Sequence, residues 1–146
     1  MKRTLFLSLI FCFSLFVSAQ DKISVVFNEK MHDFGTIREE DNKVTTVFSF
    51  INTSTKAITI KSVKASCGCT TPSYSREPVV PNGEGKVTVA YSASGRPGKF
   101  TKNITVQIGD DVDTRTETLT ITGEVVERVK TVQESFVYTA GGLLRR

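Results

Sequence analysis

"KVTTVFSFIN" occupies residues 43–52, and its period decides the fold. Val44, Thr46, Phe48 and Phe50 fall on one side of an extended chain, with Lys43, Thr45, Val47 and Ser49 on the other. A repeat of two fits a strand and not a helix. Working outward, the alternation returns in AITIKSV (57–63), with Ile58 and Ile60 inward, and in KVTVAY (86–91), with Val87, Val89 and Tyr91 inward. FTKNITVQI (100–108) places Phe100, Ile104, Val106 and Ile108 on one face, and TRTETLTITGEVV (114–126) does the same with Leu119, Ile121 and Val125. Threonine and valine fill the remaining positions, a composition suited to a pleated, half-buried surface. ISVVF (23–27) and DFGTI (33–37) bring the total to about seven short strands. Turn chemistry separates them at Asn52-Thr53-Ser54-Thr55, Pro81-Asn82-Gly83, Gly95-Arg96-Pro97-Gly98 and Gly109-Asp110-Asp111. The expectation is an all-β chain folded as two antiparallel sheets packed face to face, with a closed barrel as the alternative.

The N-terminus reads differently. Lys2 and Arg3 precede an apolar run from Leu5 to Phe16, and Val17-Ser18-Ala19 offers small residues for cleavage, the pattern of a secretory signal peptide. A membrane span needs about 20 mostly apolar residues, and this run is shorter, so residues 1–19 are read as a removed signal and the protein as not membrane-spanning. Cys12 leaves with the signal, and Phe11 before it does not fit a lipoprotein site. The expected location is the periplasm or the extracellular medium, where thiols meet an oxidising environment. The domain is placed at 20–126, and 127–146 is a C-terminal extension in which Phe136 and Tyr138 alternate as in an edge strand, ahead of a basic end. The formal charge of +4 includes Lys2 and Arg3. The remainder is spread along the chain with no basic block, so nucleic acid is not an expected partner.

The exported chain offers little acid–base machinery. His32 is its one histidine, so any Ser-His-Asp or Cys-His site would have to use it, and a hydrogen-bonded structural role is the expectation. Gly109-Asp110-Asp111-Val112-Asp113 carries clustered carboxylates but lacks the ligand spacing of a calcium loop, and reads as a turn. Cys67-Gly68-Cys69 is left. Three readings compete: a local disulfide, which needs a bend at Gly68 to bring the Cα atoms into range; a soft-metal site for copper or zinc, with further ligands from His32, Met31 or carboxylates; and a turn with no chemical task. The local disulfide leads. Lys61, Lys64 and Arg76 are the nearby cations that could lower a thiol's pKa.

HDFGTI (32–37), FSFINTS (48–54), AITIKSVKASCGCTTPSYS (57–75), PNGEGKVTVAYSASGRPGKFTKNITVQIGD (81–110) and LTITGEV (119–125), in that order, resemble the secreted bacterial family known as domain of unknown function 1573. The resemblance covers roughly Phe27 to Val126. It implies an immunoglobulin-like sandwich similar to the ASPM, SPD-2 and Hydin domains and to major sperm protein, whose members are mostly non-catalytic binding or assembly modules. It maps motif positions onto Asp33-Phe34-Gly35, a buried strand-end Asn52, and Ser66-Cys67-Gly68-Cys69-Thr70. The functional expectation is a secreted, non-enzymatic module without cofactor that binds a protein or envelope component through a sheet edge or end loops. The alternative is a thiol-disulfide or soft-metal protein acting through Cys67 and Cys69.

Overall fold

The computed structural model describes residues 22–127. The signal segment 1–19 and the extension beyond Glu127 lie outside the described residues. Among the described residues eight strands form two four-stranded sheets. They are β1 (Val25–Phe27), β2 (Met31–Arg38), β3 (Lys43–Asn52), β4 (Thr59–Ala65), β5 (Thr70–Tyr74), β6 (Glu84–Ser92), β7 (Gly98–Gly109) and β8 (Thr114–Val126). The first sheet has the order β1-β3-β6-β5 and the second β2-β8-β7-β4. A single 3₁₀ turn, Glu39–Asp41, is the only helical element among the described residues. This is an immunoglobulin-like sandwich.

The period-two pattern explains the core. Phe48, Phe50, Val87 and Val89 from the first sheet and Ile104, Val106, Ile108, Leu119 and Ile121 from the second are fully buried. Tyr91 stacks on Phe100 with ring centroids 3.9 Å apart, joining the two layers at one end. At the other, Gly85 leaves room for the Phe50 ring against β6; a Cβ there would sit 2.2 Å from the ring.

Two features correct the expected architecture. The sandwich is not wholly antiparallel, because β2 runs parallel to β8. After β1 pairs with β3, residues 28–30 hand the chain to the other sheet; Asn28 N–H still donates to Ser49 O, whereas Lys30 O already accepts from Thr120 N–H. So short a link cannot also turn the chain back across the roughly 10 Å between sheets. The eighth strand, β5, pairs with β6 from Thr70↔Tyr91 to Tyr74↔Val87.

All four sheet edges are blunted. β1 has three residues, β5 carries Pro72, and β4 has a register shift between Ile60 and Ser62 beside Lys61. β2 is interrupted by a bulge between Asp33 and Thr36. These are devices by which sheet proteins discourage edge-to-edge pairing.

Candidate functional site

Cys67 and Cys69 are joined by a disulfide, with Cα atoms 5.3 Å apart. The bridge sits where the chain leaves β4 in one sheet and enters β5 in the other. Ser66 N–H donates to Asn103 O at 2.9 Å, the last bond of the β4–β7 ladder. Thr70 N–H then closes a turn on Cys67 O (3.3 Å), and Cys69 O accepts from Ser92 N–H (2.9 Å), which starts the β5–β6 ladder. Both cysteines are half-buried, and Cys69 packs against the core. The bridged residues are 2 apart in sequence, so the bond constrains the unfolded chain little, by about 1.5 kcal/mol on a chain-entropy argument. Its sulfurs are engaged in the bridge, and among the described residues no group of three or more His, Cys, Asp or Glu side chains could hold a metal ion.

The cations that stood near in sequence are not gathered here. Lys61 pairs with Asp111 at 3.3 Å, and Lys64 and Arg76 are exposed. The register supplies a different one. Ala65 lies opposite Ile104 and Ser66 is bonded to Asn103, so the ladder ends one residue before Cys67, and Lys102 is the next residue along β7. Lys102 falls between the buried Phe100 and Ile104 on the core-facing side of β7 and is half-buried. Sequence reasoning missed it because one lysine among alternating hydrophobics reads as an outward residue.

Asp33-Phe34-Gly35 forms the bulge of β2. Gly35 has φ +65°, and its N–H donates to Asp33 Oδ1 at 2.9 Å. Phe34 packs against the core and receives the His32 ring edge-on, with centroids 4.8 Å apart. His32 Nδ1 is 3.4 Å from Glu29 Oε1. β2 and β4 are opposite edges of their sheet, so His32 and Met31 do not join the cysteines.

Asn52 is fully buried at the end of β3. Its amide donates to Lys56 O (2.8 Å) and Val79 O (2.9 Å), and its Oδ1 accepts from Ser54 N–H (3.0 Å) and from the Ser54 hydroxyl. One side chain thus ties the β3–β4 connection to the segment before β6. The acidic run after Gly109 is a hairpin turn. Asp110 Oδ1 accepts from Val112 N–H (2.9 Å) and Asp113 N–H (2.7 Å), and these backbone bonds hold its carboxyl below the usual value. Glu117 lies between threonines in β8, on the same face as Leu119, and is 7 % exposed. Burial alone would raise its pKa, but Lys30 at 2.7 Å and Arg115, both bonded to the carboxylate, hold it below the ordinary range.

One concavity stands out near β5. A groove of about 540 Å³ is lined by Ile60, Tyr74, Pro78, Val79, Val80 and Lys86, among others. Tyr74 and Val79 are half-buried, and Val80 is 60 % exposed at its rim. Among the described residues no helix is long and apolar enough to cross a membrane.

Two sheets, a sheet-to-sheet crossover closed by a disulfide and a bulged first strand define an immunoglobulin-like β-sandwich domain. The chain belongs to the family described as "Protein of unknown function (DUF1573)", matched over residues 25–125. No protein of curated function matches the sequence. Among solved structures it is similar to a protein of unknown function from Porphyromonas gingivalis W83 (TM-score 0.56, 13% identity, 70% of this chain and 46% of that one). It is similar also to the Vibrio cholerae VesB protease (0.57, 14%, 71% and 32%) and to the YadV chaperone (0.52, 8%, 78% and 58%). At these identities the likeness is one of fold, and the chain spans less than two thirds of each of the three.

Proposed function

We propose that this chain is an exported, non-catalytic immunoglobulin-like module that holds a protein or envelope component in the groove beside β5. The groove carries the reading. It offers an amphipathic tyrosine, two valines and a proline in one open concavity, with Lys86 and Glu84 also in its lining, a mixture of apolar and charged groups that suits a protein contact. The blunted edges move the proposed contact from strand addition, which a sheet edge would have served, to this face. Export is supported by the basic, apolar and small-residue pattern of residues 1–19 and by a disulfide suited to an oxidising compartment. In this reading the signal is removed after Ala19, 20–126 is the folded module, and 127–146 is an extension of it.

The test is affinity capture from the native envelope fraction, comparing the wild-type chain with a Tyr74→Ala/Val80→Asp variant whose circular dichroism is unchanged. The wild type should retain a discrete component that the variant loses at least tenfold, the loss expected when about 1.4 kcal/mol of contact is removed. A wild-type chain that stays monomeric and captures nothing more than the variant would sink the proposal.

A further inference from the structure

The two sulfurs share a buried neighbour. Thr70 is 4 % exposed, and its Oγ1 lies 3.6 Å from Cys67 Sγ and 3.8 Å from Cys69 Sγ. Among the described residues these sulfurs are the hydroxyl's only hydrogen-bonding partners. A disulfide sulfur is a weak acceptor, so the hydroxyl has been taken from water without a full bond in return. A thiolate is a strong acceptor, and charge-assisted bonds are about twice as strong as neutral ones. The hydroxyl is therefore better matched to the opened bridge than to the closed one. Lys102 supports the same conclusion. It adjoins Asn103, the residue bonded to Ser66, at the end of the β4–β7 ladder, is half-buried on the core-facing side, and has no acidic partner among the described residues. A cation in that place favours a thiolate.

We propose that the Cys67–Cys69 bridge is a thiol–disulfide exchange site in which Thr70 and Lys102 hold the thiolates formed when it opens. The substrate class is a dithiol, or the disulfide of a partner in the reverse direction. Cys69 packs against the core and Cys67 does not, so attack falls on Cys67 Sγ. The thiolate of the external dithiol bonds to Cys67 Sγ, the bridge breaks, and its electron pair leaves on Cys69 Sγ beside the Thr70 hydroxyl. The reductant's second thiol, once deprotonated, attacks the reductant sulfur of the mixed disulfide. This releases the Cys67 thiolate next to Lys102 and leaves the reductant as its own disulfide. Two electrons pass from dithiol to bridge, and the dithiol's two protons pass to water or to the released thiolates. Because the bridged residues are 2 apart, the bridge adds little to folding stability and, by linkage, folding adds little to the bond's resistance to reduction. The site stands independently of the groove and its partner.

The test is a redox titration of the exported chain with reduced and oxidised dithiothreitol, read by alkylation and mass, at pH 9 and pH 6. Wild type, Thr70→Val, Thr70→Ser and Lys102→Gln are compared, with circular dichroism confirming each fold. At pH 9 Thr70→Val should need about a tenfold more reducing ratio than wild type, roughly 30 mV, and Thr70→Ser should restore the wild-type midpoint. Lys102→Gln should shift the same way by a smaller factor. At pH 6, with thiols protonated, the differences should shrink toward nothing. Coincident midpoints for wild type and Thr70→Val at pH 9 would overturn the proposal, as would a wild-type bridge that is reduced only after unfolding.

Discussion

Replacing Asn52 by alanine should destabilise the domain far more than its position at a strand end suggests. The amide donates to two carbonyls and its oxygen accepts from Ser54, all within a site of zero exposure. Val79 O keeps its bond from Ile58 N–H at 3.0 Å, and Ser54 is only half-buried, so water recovers part of the loss. Four broken bonds at about 1 kcal/mol each, less about 1 kcal/mol that water returns at Ser54 and with about 1 kcal/mol more for the space left behind, give a loss of roughly 4 kcal/mol. In urea, with a slope of about 1.5–2 kcal/mol per molar for a chain of this size, the midpoint should fall by about 2 M. The assay is equilibrium unfolding followed by far-ultraviolet circular dichroism, since the chain has no tryptophan. Asn52→Asp should be worse than Asn52→Ala at neutral pH, because a carboxylate would face two carbonyl oxygens with no proton to give, and the gap should narrow in acid as protonation restores one donor. An Asn52→Ala midpoint within about 0.5 M of wild type, under 1 kcal/mol at that slope, would mean that the Asn52 amide does not hold the two segments together.

Glu117→Gln should cost about 1–2 kcal/mol at pH 7, and the difference from wild type should close in acid. The folded carboxyl is depressed by Lys30 and Arg115 despite its burial, so its stabilisation is present above the unfolded carboxylate value and is lost as pH falls through the folded one. A gap between the two chains that persists to pH 2 would contradict this. Gly85→Ala drives a methyl into the Phe50 ring and should cost about 1–3 kcal/mol, seen as a melting temperature lower by roughly 10 °C. An unchanged melt would mean that the ring moves aside freely.

The long strands were legible because burial imposes period two. The alternation from Val44 to Phe50 and from Leu119 to Ile121 is the core itself. β5 was hidden because TTPSY is short, polar on both faces and broken by Pro72, so its pairing is set by the Cys67–Cys69 turn before it and not by its own pattern. The parallel pairing of β2 with β8 joins segments some ninety positions apart, and no local periodicity carries that information. The resemblance pointed to Asp33-Phe34-Gly35, Asn52 and the cysteines; it did not indicate what they touch. Thr70 reads as one of two ordinary threonines after the cysteine pair, and Lys102 and Glu117 as exposed charges. Only the register and the twist of the sandwich turn them inward, and the groove at Tyr74 and Val80 is made by the same eighth strand.

Intact mass spectrometry of the protein purified from its native source is the decisive measurement. The expected chain begins at Gln20, is lighter than the reduced sequence by the two hydrogens of the Cys67–Cys69 bridge, and is alkylated at both cysteines only after reduction. A chain that retains residues 1–19, or whose cysteines alkylate fully without reductant, would contradict this.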